Sequence, residues 1–375
     1  MNKWEIAKLN NICVEKIQTI SPKDDYNIEY VDISSIDNQE KKIISYQTIH
    51  SKDAPSRAKQ ILKKNDILVS TVRPNLNAVA INQIESKNVV VGSTGYCVLR
   101  CTKNIDVNYL FNYCKSNTFI SRLVKLAKGA SYPAVSNLEV KNSKIPLPPL
   151  ETQKQIAKTL DTAAELLAMR KQQLAELDNL IKSIFYDMFG DPVTNEKGWE
   201  NKKLGDFATL LNGRAYKQNE LLKEGKTPVL RVGNFFSNKE WYYSNLVLDE
   251  SKYCDKGDLL YAWSASFGPK IWNGPRVIYH YHIWKILVSK EINKQFLFRL
   301  LQYITENLKQ NTHGITMVHL TKSGMEQTEF ILPPVEIQIQ FAEIVTKIEE
   351  QKALVQKAID ETQYLFDSLM NEYFD

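Results

Sequence analysis

Two stretches of this chain place apolar side chains at alternating spacings of four and three residues. The first runs from Ile156 through Leu160, Ala163, Leu167, Arg170, Leu174, Leu177, Ile181 and Ile184 to Met188. The second runs from Phe341 through Val345, Ile348, Lys352, Val355, Ile359, Thr362, Phe366 and Leu369 to Tyr373. Four-three alternation draws a stripe that winds slowly round a helix, which is what a supercoiled pair requires. Neither run contains a proline or glycine, and each continues for about 38 residues, roughly 57 Å at 1.5 Å per residue. Arg170, Lys352 and Thr362 interrupt the stripes, and polar residues at such positions fix register rather than add stability. An ordinary core helix or a dimerising coiled coil would also carry such a stripe. An intramolecular antiparallel pair is favoured, because a whole globular segment separates the two runs.

The helices belong to a repeat. Pro148-Pro149-Leu150-Glu151-Thr152-Gln153 returns as Pro333-Pro334-Val335-Glu336-Ile337-Gln338, displaced by 185 residues, and the displacement holds to the end, with Ser183 matching Ser368 and Phe189 matching Phe374. A period this long describes two copies of one domain, each followed by one long helix. Proline suits a first helical turn, and Glu151 and Glu336 favour the positive end of the helix dipole. Gly190-Asp191-Pro192 closes the first helix.

Weaker echoes cross the globular segments. Trp4-Glu5 and Leu9 match Trp199-Glu200 and Leu204, and Val31-Asp32-Ile33 sits where Leu230-Arg231-Val232 sits. Lys64-Asn65-Asp66-Ile67-Leu68-Val69 resembles Lys256-Gly257-Asp258-Leu259-Leu260-Tyr261, a turn feeding a strand. Short β-rich segments alternate with one helix per lobe, over Val107 to Lys125 and Lys294 to Lys309. The fold class expected is α+β: two similar mixed lobes at 1–149 and 191–334, joined by helices at 150–190 and 335–375 in an antiparallel coiled coil. The natural arrangement is a dumbbell about a pseudo-twofold axis.

Charge sharpens this picture. The net charge of +5 divides into +8 over 1–149 and +5 over 195–334, against −2 over 150–194 and −6 over 335–375. Basic lobes on acidic helices suggest contact with a polyanion through the lobes. Five cysteines, Cys13, Cys97, Cys101, Cys114 and Cys254, supply no paired short spacing for zinc or a disulfide framework. No run of about 18 apolar residues could span a membrane. The N-terminus has no hydrophobic signal core, so a cytoplasmic protein is expected.

Catalytic motifs are absent. Glu220 stands where a phosphate loop ending in Gly225-Lys226-Thr227 needs its first glycine, and there is no H-E-x-x-H or G-x-G-x-x-G. His280-Tyr281-His282 puts two imidazoles on one strand face, read as structural because no further ligand is indicated. Recognition residues remain. Arg73, Asn75, Arg214, Tyr216, His313 and Thr316 lie in loops suited to base edges, Lys128, Ser131, Lys217 and Lys270 suit phosphates, and Tyr132, Arg231 and Asn234 complete the expected DNA-binding set.

The repeated P-P-x-E-x-Q helix start, and the Phe189-Gly190-Asp191-Pro192 exit into Trp199-Glu200, resemble the specificity subunit of type I restriction-modification enzymes over the whole chain. The resemblance implies two target-recognition domains, each reading one half of a split, asymmetric site in double-stranded DNA. It implies helices that set the spacing and dock two methyltransferase subunits, with a motor-nuclease subunit completing the complex. No cofactor is expected in this chain; S-adenosylmethionine, ATP and magnesium would belong to the partners. The alternatives are a coiled-coil protein-interaction scaffold, a specificity module of a differently organised restriction enzyme, and a nuclease with an unrecognised site.

Overall fold

The structure, a computed structural model, describes residues 4–21, 25–237, 240–264, 266–311 and 321–374. The chain divides into two compact units, Met1–Gln172 with Gln356–Asp375, and Gln173–Val355. Each unit joins one lobe to a section of both long helices, Leu150–Phe189 and Val335–Phe374.

In the first unit, Asn27–Val31 runs parallel to Val89–Ser93 at the centre of a four-stranded sheet edged by Gln47–His50 and Ala58–Ile61. Ile67–Ser70 lies between Tyr96–Leu99 and Val79–Ile81 in an antiparallel sheet. The second unit keeps this plan. Thr227–Leu230 runs parallel to Val277–Tyr279, and Leu259–Ser264 lies between Ile283–Val288 and Ser266–Ile271.

The Trp-Glu echo also has a structural cause. Ile6–Lys8 pairs with Lys144–Pro146, and Asn201–Lys203 with Glu329–Ile331, so each lobe closes its first strand on its last. Leu9 and Leu204 then turn fully inward. The seam is sewn by the Leu147 N–H donating to Glu5 O (2.7 Å) and the Leu332 N–H donating to Glu200 O (2.8 Å).

Each lobe's core closes on the start of one long helix and the end of the other. Ile156, Leu160, Met370 and Phe374 enter the first core beside Tyr109 and Tyr113. Phe341, Val345, Phe185 and Phe189 enter the second beside Phe296 and Trp284. The helices are therefore antiparallel within each unit. Along the stripes Ile156, Leu160, Ile181, Phe341, Val345, Ile348 and Ile359 are buried. Leu167, Leu174, Leu177, Val355 and Phe366 are half-buried, since two helices alone cover a side chain from one direction only. The polar interruptions are partnered. In the first unit the Arg170 guanidinium donates to Ala358 O and Thr362 Oγ1, and in the second Lys352 Nζ donates to Asp178 Oδ1 (2.6 Å).

The motif glutamines bind backbone on both sides. Gln153 is 1% exposed; its Nε2 donates to Pro148 O (2.8 Å) and Asn104 O (3.2 Å), while its Oε1 accepts from the Asp106 N–H (2.9 Å). Gln338 repeats the bracket with Pro333 O (2.7 Å), Glu291 O (3.2 Å) and the Asn293 N–H (2.8 Å). Each glutamine thus ties the long helix to the residue that begins its lobe's own helix. Phe189 ends the first long helix, its carbonyl accepting from Trp199 Nε1 (2.8 Å) while Gly190 turns away at φ +74°.

One expectation needs correction. The helix anticipated from Val107 to Lys125 is two helices, Val107–Lys115 and Asn117–Leu126. Ser116 is extended, and its hydroxyl accepts from the Phe119 N–H, restarting the helix with a side-chain cap. Among the described residues no helix is long and apolar enough to cross a membrane.

Candidate nucleic-acid interface

Antiparallel bridges join Val72 and Lys128 to Ala134, so two loops of the first lobe meet. The Lys128 and Ala134 N–H groups donate to each other's carbonyls (3.0 and 2.9 Å), closing a loop that lifts Ser131 and Tyr132 outward. Gly129 makes the closure possible: its φ is +107°, and a Cβ there would sit 3.0 Å from Tyr132 O. On the facing loop Arg73 holds the left-handed conformation at φ +49°, fixed by its N–H donating to Pro133 O (2.7 Å). Its guanidinium lies 4.7 Å from the centre of the Tyr132 ring, itself 69% exposed. The turn Pro74–Leu76 then carries Asn75 outward. Arg73, Asn75, Lys128, Ser131 and Tyr132 are all exposed on these two loops. Beside them a cleft of about 380 Å³ is lined by Ile33, Ile36, Leu76 and Ala78 as well as Arg73 and Tyr132.

The second lobe opens its cleft elsewhere, beyond the end of the parallel strand pair. Arg231 follows strand Thr227–Leu230, with its guanidinium 5.2 Å from the Tyr242 ring centre. It lines a cleft of about 500 Å³ with Asn234, Glu240, Tyr242, His280 and His282. The two histidines do not share a strand face. They occupy the tight turn between Val277–Tyr279 and Ile283–Val288, closed by the Ile283 N–H donating to His280 O (2.9 Å), with ring centres 4.7 Å apart. Burial, then His282 and Arg231, pushes the His280 imidazole down to about 4, so it is neutral at pH 7. Sequence reasoning passed over His280, His282, Tyr242 and Glu240 as site residues. The cluster Tyr279-His280-Tyr281-His282 was the available signal, but without the turn it reads as an ordinary strand.

Other candidates are engaged within the lobe. Arg214 makes a two-pronged bond with Glu220 (2.8 Å each), which holds that carboxyl down to about 2. It also lies 5.2 Å from the Tyr216 ring centre, and Tyr216 stacks on His280. Gly213 lets this loop touch the turn, for a Cβ there would fall 2.3 Å from Tyr279 O. Half-buried Lys270 donates to Phe235 O (2.9 Å), and Asn234 Nδ2 to Glu240 O (3.1 Å). Lys217 is exposed on the Arg214 loop. His313 and Thr316 lie outside the described residues.

Among the described residues four arginines are tied to carboxylates: Arg100 to Asp66, Arg214 to Glu220, Arg276 to Glu250 and Asp255, and Arg299 to Glu349. Arg73 and Arg231 are in no ion pair among the described residues, and each is held over a tyrosine. A guanidinium ordered on an aromatic face loses little further freedom when it meets a planar acceptor edge. The five cysteines are free, and burial raises all their thiols, leaving them unreactive. Among the described residues no cluster of three or more His, Cys, Asp or Glu could hold a metal ion.

Known proteins share this construction. The type I restriction enzyme MjaIX specificity subunit of Methanocaldococcus jannaschii is 25% identical over 94% of this chain and 85% of its own length. The HindI specificity subunit of Haemophilus influenzae is 28% identical over 61% of this chain and 49% of its own length. Among solved structures, a chain from a study of complex assembly and conformational transition of the type I R-M system covers 99% of this chain and 97% of itself, at TM-score 0.69 and 23% identity. The S subunit from M. genitalium covers 100% and 96%, at TM-score 0.61 and 16% identity. The family described as type I restriction modification DNA specificity domain matches residues 1–179 and 196–363. With two such domains filling most of its length, this chain belongs to the type I restriction-modification DNA specificity family.

Proposed function

We propose that this chain gives a type I restriction-modification complex its DNA sequence specificity, each lobe reading one half of a bipartite, asymmetric duplex site. The observation that carries the reading is the pair of ordered, uncommitted arginines, one at a cleft in each basic lobe. Arginine donating to guanine O6 and N7 is the commonest specific contact in the major groove. The lobes differ around these arginines, so the half-sites differ.

The long helices act as spacer and as docking surface for two methyltransferase subunits, with a motor-nuclease subunit completing the complex in the cytoplasm. Exposed apolar residues on the helices support two copies of one partner, because they repeat. Met169 (60% exposed) and Leu354 (69%) are related by the 185-residue displacement, as are Leu180 (46%) and Leu365 (54%). Catalysis belongs to those partners: they bind S-adenosylmethionine, ATP and magnesium, and this chain carries no chemistry of its own.

Removing one matched heptad from both helices tests the spacer role. It shortens each helix by roughly 10 Å, about three base pairs of duplex. The preferred spacer should change while the half-site bases persist. An unchanged spacer rejects the ruler, and indifference of the assembled complex to duplex sequence rejects the reading in favour of a protein-interaction scaffold.

A further inference from the structure

We infer that the two lobes read DNA from non-equivalent places in their shared frame, the first through Arg73 over Tyr132 and the second through Arg231 over Tyr242. This rests on the DNA-reading role proposed above and adds which side chains set the bases. Strand order and register set the equivalence. Arg231 comes directly after Thr227–Leu230, whose counterpart is Asn27–Val31, so its equivalent in the first lobe is Asp32. Asp32 is committed to its own lobe. Its Oδ1 accepts from Tyr30 Oη (2.8 Å), its N–H donates to Ser35 Oγ (3.1 Å), and its carbonyl accepts from Tyr96 Oη. At the same backbone position the Arg231 carbonyl accepts from the Asn234 and Phe235 N–H groups (3.0 and 2.9 Å), starting helix Val232–Phe236 without a side-chain cap, and its guanidinium is in no ion pair among the described residues.

The converse holds for Arg73. It follows strand Ile67–Ser70, in the excursion that ends where Val79–Ile81 begins. The counterpart strand Leu259–Ser264 makes no excursion: it folds straight into a hairpin with Ser266–Ile271, pairing Ser264 with Ser266. No arginine lies in that turn. The surroundings differ as sharply as the positions. Beside Arg73, Ile33, Ile36 and Leu76 offer an apolar wall suited to a thymine methyl. Around Arg231 the cleft is instead polar, lined by Asn234, Glu240, Tyr242, His280 and His282.

The test uses this chain assembled with type I methyltransferase subunits, selecting from a duplex library randomised over the recognised site. Wild type should return two unlike half-sites. Arg73→Gln should lose roughly ten- to hundredfold discrimination at one base pair of one half-site, and Arg231→Gln the same in the other half only. Asp32→Asn should leave both halves unchanged. Arg231→Lys keeps the charge without the two-pronged geometry, so it should relax the same base pair while retaining affinity for DNA, which separates misfolding from lost readout. Arg231→Gln and Arg231→Lys complexes that return the wild-type site overturn the inference, as does Asp32→Asn altering a base. A wild-type complex that returns no sequence preference overturns the proposed function instead.

Discussion

Replacing Gln153 by Leu removes three hydrogen bonds at a site with 1% exposure and strands the Asp106 N–H and the carbonyls of Pro148 and Asn104. A buried polar group left without its partner costs about 1–3 kcal/mol. The Asn104 bond, at 3.2 Å, is the weakest of the three. The leucine also recovers some apolar burial, so the net loss should be about 3–5 kcal/mol. That is a large share of the roughly 5–15 kcal/mol by which a domain is stable. Gln338→Leu should cost the second unit as much, because its three bonds have nearly the same lengths. Urea denaturation measures the loss, and amide hydrogen exchange locates it, at 104–109 for one variant and 291–296 for the other. Five of the six tryptophans, Trp199, Trp241, Trp263, Trp272 and Trp284, fall within Gln173–Val355 and only Trp4 in the first unit, so tryptophan fluorescence chiefly follows the second unit. Exposed Gln155 serves as control, its Leu variant staying within about 0.5 kcal/mol of wild type. A Gln153→Leu protein within about 1 kcal/mol of wild type refutes the bracket.

Asp66 and Arg100 form a two-pronged pair (2.8 and 2.7 Å) with side chains only 1% and 17% exposed, and Asp66 also accepts from the Lys63 N–H. Asp66→Ala leaves that guanidinium uncompensated and should destabilise the first unit by about 3 kcal/mol in urea denaturation; a loss under about 1 kcal/mol contradicts this. His280 should make the second unit sensitive to acid. Its folded value of about 4 lies below the unfolded value near 6.5, so between them the unfolded chain binds more protons and stability falls as pH falls. The contribution is whole above about pH 6.5, is reduced by about 2 kcal/mol at pH 5, and is lost progressively through pH 4. Tryptophan-monitored urea midpoints at pH 7 and pH 5 should therefore differ less in His280→Phe than in wild type, and an identical pH dependence in both proteins contradicts the assignment.

The helix pair was legible because its causes are local and periodic. Four-three spacing forces a stripe, and every stripe position from Ile156 to Tyr373 is buried or half-buried. The α+β lobes were legible through their edges: Trp4, Leu9, Trp199 and Leu204 mark where each lobe closes on itself. The break at Ser116 was signalled by Ser-Asn-Thr but hidden inside an otherwise amphipathic run. The clefts were not legible. That Arg214 meets Glu220 is a short-range fact, six residues apart, yet that Arg231 meets Tyr242 depends on the antiparallel pairing of Thr227–Leu230 with Tyr242–Ser244, and that it meets His280 depends on the parallel pairing with Val277–Tyr279. Side-chain type alone could not separate Arg231 from Arg214, or Lys217 from Lys270, whose ammonium is spent on a carbonyl 35 residues away.

The internal repeat separates two kinds of residue by what they bind. Gln153 and Gln338, Leu9 and Leu204, Phe374 and Phe189 bond to or pack on a backbone frame that both lobes share, so the same frame demands the same side chain. Asp32 and Arg231 stand at one position of that frame and differ even in the sign of charge. Such a difference is tolerated only where the backbone does not dictate the residue, and it leaves the position open to what each lobe meets outside itself. Asp32 accepts from Tyr30 whereas Arg231 lies at a cleft, so on the proposed reading the first lobe places this role on the excursion after Ser70, where Arg73 has a tyrosine of its own. On that reading recognition is carried where the copies disagree and support where they agree, and the same comparison marks Glu240 and His282, which line the Arg231 cleft, as the next residues to exchange when the second half-site is to be altered.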